Sequence, residues 1–195
     1  MAPTVPLPRA PLDGIAHWYE RELGWAVAGG VPVELLTGLR FDVLELPADA
    51  GHAVLRRIAA TGPVALTGGV PHAEGKGRMR LLVAAGSADE LDGLLDWLDW
   101  GGIALDLTAT GAGGRITAPA PPGFPGAGSR GAARWLRPPE PGCEARLPAI
   151  APMGHGAGLG DIGGAPDLVR LVDAAATECH RARLSRTTTQ ALAFS

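Results

Sequence analysis

Between positions 41 and 118 the apolar residues switch repeatedly between a spacing of two and a spacing of three to four. This alternation of strand and helix periods limits the fold more than any other feature of the chain. Residues 41–46 form a short β-prone run that Pro47 ends. Val54, Leu55 and Ile58 mark one face of a helix over 48–60, closed by Thr61, Gly62 and Pro63. A second strand is expected at 64–67, and a third at 79–84 after a polar loop that holds His72, Glu74 and Lys76. Ser87, Ala88, Asp89 and Glu90 have the pattern of a capping box, in which the serine oxygen and the glutamate each satisfy an orphan amide. The helix they open, over 87–98, buries a stripe of Leu91, Leu94, Leu95 and Leu98. Gly101 and Gly102 end that helix, a fourth strand follows at 103–108, and the turn at 111–114 leads into a fifth at 115–118. The order strand, helix, strand, strand, helix, strand is the split βαβ arrangement, an α+β fold whose two helices cover one face of an antiparallel sheet. Its other face is expected to stay open for a ligand.

The flanks differ in character. Prolines at 3, 6, 8 and 11 make residues 1–11 an extended arm, and a helix follows over 12–23, stopped by Gly24. Residues 120–131 are rich in proline and glycine, and Arg134, Trp135 and Leu136 have the composition of one more edge strand. A domain over 12–150 is thus followed by a glycine-rich linker over 151–166 and by a segment, 167–195, that opens with an amphipathic helix. That helix runs from Asp167 to about Leu184, with Leu168, Leu171, Val172, Ala175, Ala176 and Cys179 on its apolar stripe, and its basic end is expected to fray. Such a stripe must be covered, and docking on its own domain is the simplest way to cover it.

Composition removes several classes of function. With a net charge of −3 there is no global positive field to hold nucleic acid, so any such contact is local. No apolar run approaches the ~20 residues of a membrane-spanning helix, and no charged-then-apolar leader opens the sequence, so a cytoplasmic protein is expected. Two cysteines, Cys143 and Cys179, give neither a disulfide scaffold nor a structural zinc site. Cys179 falls on a buried stripe and reads as a small core residue. The histidines, His17, His52, His72, His155 and His180, are scattered, with no pair at the spacing of a helical metal site. The acids Asp89, Glu90, Asp92, Asp96 and Asp99 suit a helix N-terminus and its solvated side. The glycines at 111, 113 and 114 precede a strand rather than a helix and offer no helix N-terminus to a phosphate.

What remains lies on the expected sheet. Glu45 on the first strand and Asp106 on the fourth are the candidate metal ligands, since phosphoryl transfer needs carboxylates converging from adjacent strands on Mg²⁺. The plainer alternative makes them the polar members of period-two strands. Arg78, Arg80 and Arg115 are the candidate phosphate contacts, because guanidinium forks bind phosphate bidentately. Arg78 and Arg80 share one face of their strand and Met79 takes the other.

These residues resemble the N-terminal domain of bifunctional DNA primase/polymerases, the prim-pol domain of the archaeo-eukaryotic primase superfamily. The likeness runs through Gly24 to Val27, Asp42 to Pro47, Gly77 to Leu82, Leu105 to Leu107 and Gly113 to Pro119, and covers roughly 12–140. It implies an RRM-like, ferredoxin-like split βαβ core. It also implies two acids, spaced by one residue, at the end of the first strand, a histidine on the third strand and an acid on the fourth. Glu45 matches the first acid and Asp106 the last, but Pro47 stands at the second acid and Met79 at the histidine. Asp42 is no substitute, since three residues from Glu45 it faces the other side of the strand. The resemblance therefore implies a domain with a degenerate active site and no assigned catalytic residue. Such a domain acts as a binding or regulatory protein for nucleotide or nucleic acid, in a setting such as bacterial DNA replication. The alternatives are an active, Mg²⁺-dependent nucleotidyltransferase with a rearranged metal site, and an adaptor for a protein partner that works through the proline-rich arm and the terminal helix.

Overall fold

The computed structural model describes residues 11–68, 77–124, 132–150 and 167–192. Residues 1–10 of the proline-rich arm, His72, Glu74, Lys76, His155 and the glycine-rich linker lie outside these residues, whereas Pro11, expected to end the extended arm, opens the first helix, where its missing N–H costs nothing. In chain order the elements are α1 (Pro11–Trp18), β1 (Val27–Ala28), β2 (Glu34–Leu36), β3 (Asp42–Pro47), α2 (Ala48–Arg57), β4 (Val64–Thr67), β5 (Arg78–Val83), α3 (Leu91–Trp97), β6 (Thr108–Thr110), β7 (Arg115–Thr117), β8 (Arg134–Arg137) and α4 (Leu168–Leu192). A π-helical turn, Tyr19–Leu23, extends α1 until Gly24, whose φ of +66° is a conformation that only glycine takes at little cost.

The strands form two antiparallel sheets, one of five strands in the order β6-β3-β5-β4-β8 and one of three in the order β1-β2-β7. Period-two alternation divides the larger sheet. On one face Leu44, Leu46, Val64, Leu66, Met79, Leu81 and Val83 meet α2, α3 and α4 in a single core. Gly51 lets α2 come close there, because a Cβ at that position would collide with the Met79 side chain. α4 buries its expected stripe against this core, with Leu168, Leu171, Val172, Ala175, Ala176 and Cys179 all inaccessible. It is not frayed at Arg181 or Arg183, whose guanidinium groups bond to Glu178 and to the Ala104 carbonyl, and it continues to Leu192.

Several expectations need correction. Residues 115–118 do not join the main sheet: β7 pairs with β2, where Ile116 enters a second core with Tyr19, Trp25, Leu35 and Leu147. The fourth strand begins at Thr108 rather than at 103, which leaves Asp106 outside it. The pairing of Glu45 with Thr108 would, if continued, set Asp106 opposite Pro47, and Pro47 has no N–H to give the ladder. The capping box does not form either. α3 starts at Leu91 with no side-chain cap, and the Ala88 amide donates instead to Asp42 Oδ2 at 2.9 Å. Of the expected leucine stripe on α3 only Leu91 is fully buried. Finally, the second face of the main sheet is not open throughout, since Val43 and Leu82 lie beneath the second core.

Candidate functional site

The uncovered part of that face is one end of the central strand pair. Glu45 stands opposite Arg80 and Pro47 opposite Arg78, so both arginines project on the Glu45 side while Met79 turns into the helix core. Thr108 lies beside Glu45 on β6 and Thr67 beside Arg78 on β4. The side chains are partly covered, with exposures of 16% for Arg80, 23% for Glu45, 29% for Arg78 and 50% for Asp106.

Glu45 divides its two oxygens between the arginines. Arg78 Nε donates to Oε1 at 3.0 Å and Arg80 Nε to Oε2 at 2.6 Å. Arg78 Nη1 reaches Asp106 Oδ1 at 2.5 Å, so one guanidinium spans both carboxylates. Burial works to raise the Glu45 carboxyl, but the hydrogen bonds and charges of Arg80, and then of Arg78, outweigh it and hold the group below the ordinary carboxylate range. Burial likewise works to lower Arg78, and the bonds to Asp106 and Glu45 overcome it. Arg80 Nη1 is buried and has no hydrogen-bond partner among the described residues.

The sequence lets Glu45 and Asp106 converge and puts Arg78 and Arg80 together on one face of their strand. With Met79 on the face of the family's histidine, however, it points the two arginines toward the helices or the sheet rim; the structure reverses that orientation and gathers all four. It does not bring Arg115 to them, because β7 belongs to the smaller sheet and the Arg115 side chain faces Glu34 at 3.5 Å. Two carboxylates do converge, but an arginine lies between them, and among the described residues no group of three His, Cys, Asp or Glu side chains is arranged to hold a metal ion. Asp42 lies on the opposite face from Glu45, almost fully buried, with Oδ2 on the Ala88 amide and Oδ1 unpartnered.

Other candidates fall away for physical reasons. Burial pushes the Cys179 thiol up to about 12, with the Asp106 charge adding to it, so no thiolate forms near neutral pH. Cys143 is buried and its thiol is also pushed up. The turn at 111–114 joins β6 to β7 and borders a cavity of ≈ 180 Å³ with Leu36, Thr37, Gly38 and Leu39, whose lining carries no charged side chain. Sequence reading missed one polar junction. The Tyr19 hydroxyl donates to the Pro119 carbonyl at 2.7 Å and accepts from Trp135 Nε1 at 2.8 Å, tying the first helical segment to β8. The one available signal was Tyr19, the single tyrosine, on the apolar face of its helix.

Compared with known proteins, the chain matches no family model, no curated protein and no solved structure. Among the described residues no helix is long and apolar enough to cross a membrane.

Proposed function

We propose that this chain is an RRM-like domain related to the primase/polymerase group, without polymerase chemistry, that binds a phosphate-bearing ligand of the nucleotide class through Arg78 and Arg80. The fold part is supported by strand order. Taken from β3 onward, the first four strands of the main sheet lie as fourth, first, third, second, all antiparallel, with α2 and α3 on the same side. The loss of catalysis is supported by Pro47, which has no carboxylate to hold a metal beside Glu45. Met79 packs in the helix-side core, so position 79 offers the site no side chain and does not correspond to the family's histidine.

The observation that carries the binding reading is Arg80 Nη1, a buried guanidinium donor left without a partner beside a second arginine. An unused charged donor is costly to bury, and an anion recovers that cost when it binds. The adaptor alternative has lost one of its two surfaces, because the stripe of α4 is consumed by its own domain. Equilibrium titration with nucleoside triphosphates, with and without Mg²⁺, tests the proposal. The expected result is binding that needs no Mg²⁺, is lost in Arg80→Ala and survives Arg115→Ala. Binding that requires Mg²⁺ and supports primer extension, abolished by Glu45→Ala, would overturn it.

A further inference from the structure

We propose that Glu45 is a tethered stand-in for the ligand's anionic group. On this basis the site takes a terminal, doubly charged phosphoryl group in preference to the singly charged phosphodiester of a nucleic-acid backbone. This deepens the phosphate-binding reading above and rests on it. Carboxylate and phosphoryl oxygens are read by guanidinium in the same way, through parallel N–H···O bonds. Glu45 already fills that role for two arginines at once, one oxygen on each. Any ligand must therefore displace it, and a side chain carried on the same sheet competes at high effective concentration.

Displacement sets two conditions on the ligand. It must supply an acceptor oxygen for Arg78 Nε and another for Arg80 Nε, and it must carry more charge than the carboxylate it replaces. A phosphodiester has two free oxygens and one charge, which matches Glu45 and gains nothing over it. A terminal phosphate has three free oxygens and a charge of about −1.5 to −2 at neutral pH. Its third oxygen suits Arg80 Nη1, a buried donor that Glu45 leaves unused. Asp106 keeps hold of Arg78 Nη1 throughout, so the receiving guanidinium stays oriented after Glu45 leaves. Thr67 and Thr108 border the vacated position from the neighbouring strands.

The test compares wild type, Glu45→Gln and Arg80→Ala by calorimetric titration in the presence of chelator. The probes are inorganic pyrophosphate and a short oligothymidylate with hydroxyl groups at both ends. Glu45→Gln keeps the shape of the side chain and removes its charge, so its dissociation constant for pyrophosphate should fall about tenfold or more. Oligothymidylate should bind both proteins more weakly than pyrophosphate, and Arg80→Ala should abolish pyrophosphate binding. Arginine-dependent binding that is equal in wild type and Glu45→Gln would overturn the stand-in role while leaving the phosphate site intact. Equal or tighter binding of oligothymidylate would overturn the preference for terminal phosphoryl groups. Absence of arginine-dependent binding in every protein would overturn the site itself. If circular dichroism shows that Glu45→Gln does not fold, Glu45→Asp carries the same comparison, because a side chain one methylene shorter cannot hold both Nε donors as Glu45 does, with an expected gain of about threefold.

Discussion

The two faces of the five-stranded sheet are built by the same residues in alternation, yet they end differently. Toward the helices, Leu44, Leu46, Met79, Leu81 and Val83 form a continuous apolar surface that ends at the buried carboxylate of Asp42. On the opposite side the surface changes within a single step of two residues, from Val43 to Glu45 on β3 and from Leu82 to Arg80 on β5. The change falls where the second layer of Tyr19, Trp25, Leu35 and Leu147 stops. A period of two lets one strand serve both purposes, since neither face constrains what the other carries. The helix face holds the fold together, and the far end of the other face is left for charge.

If the faces divide labour in this way, truncation on the helix side should have the larger effect on stability. Met79→Ala removes a fully buried side chain packed against α2 and should cost ~2–5 kcal/mol in urea denaturation. A loss well under ~1 kcal/mol would mean that α2 does not depend on this contact and would blur the contrast between the faces. The charged end should show a smaller effect that depends on pH. The Glu45 carboxyl is held below its ordinary value by Arg80 and Arg78, so its contribution is present above the unfolded glutamate range and is lost as pH falls through the lowered value. Glu45→Gln should therefore be less stable than wild type near neutral pH, and the gap should close as pH drops below about 4.3. Thermal melts across that range measure it. A gap that stays constant would mean that the two arginines do not act on Glu45 through its charge.

Much of this architecture was legible in the sequence because its signals were local. β4 occupies residues 64–67 as its apolar run and flanking Gly62, Pro63 and Gly68 indicate, and β8 is the edge strand that Arg134, Trp135 and Leu136 suggested. The stripe of α4 is spaced so regularly that its buried residues can be named in advance. β1 and β2 went unread, since two- and three-residue strands carry no usable period. The departure of β7 to the smaller sheet depends on where Leu35 and Trp25 lie in space, which local pattern does not encode. Ser87 and Glu90 matched a helix cap, but the Ala88 amide had a partner 46 residues away in Asp42. At the site, strand alternation correctly put Arg78 and Arg80 on one face. It could not show that Glu45 and Asp106 are engaged by arginine, because that depends on register between β3 and β5 and on the path of the chain before β6.

On the proposed function, a phosphoryl group binds at the charged end of the sheet and not on the helix face. A crystal structure of the chain with a bound nucleoside triphosphate tests it most directly. The terminal phosphate should lie within hydrogen-bonding distance of Arg80 and Arg78, with Glu45 turned away from both. A triphosphate seated elsewhere, such as the cavity beside Gly38 and Gly113, or a metal ion bridging Glu45 and Asp106, would contradict it.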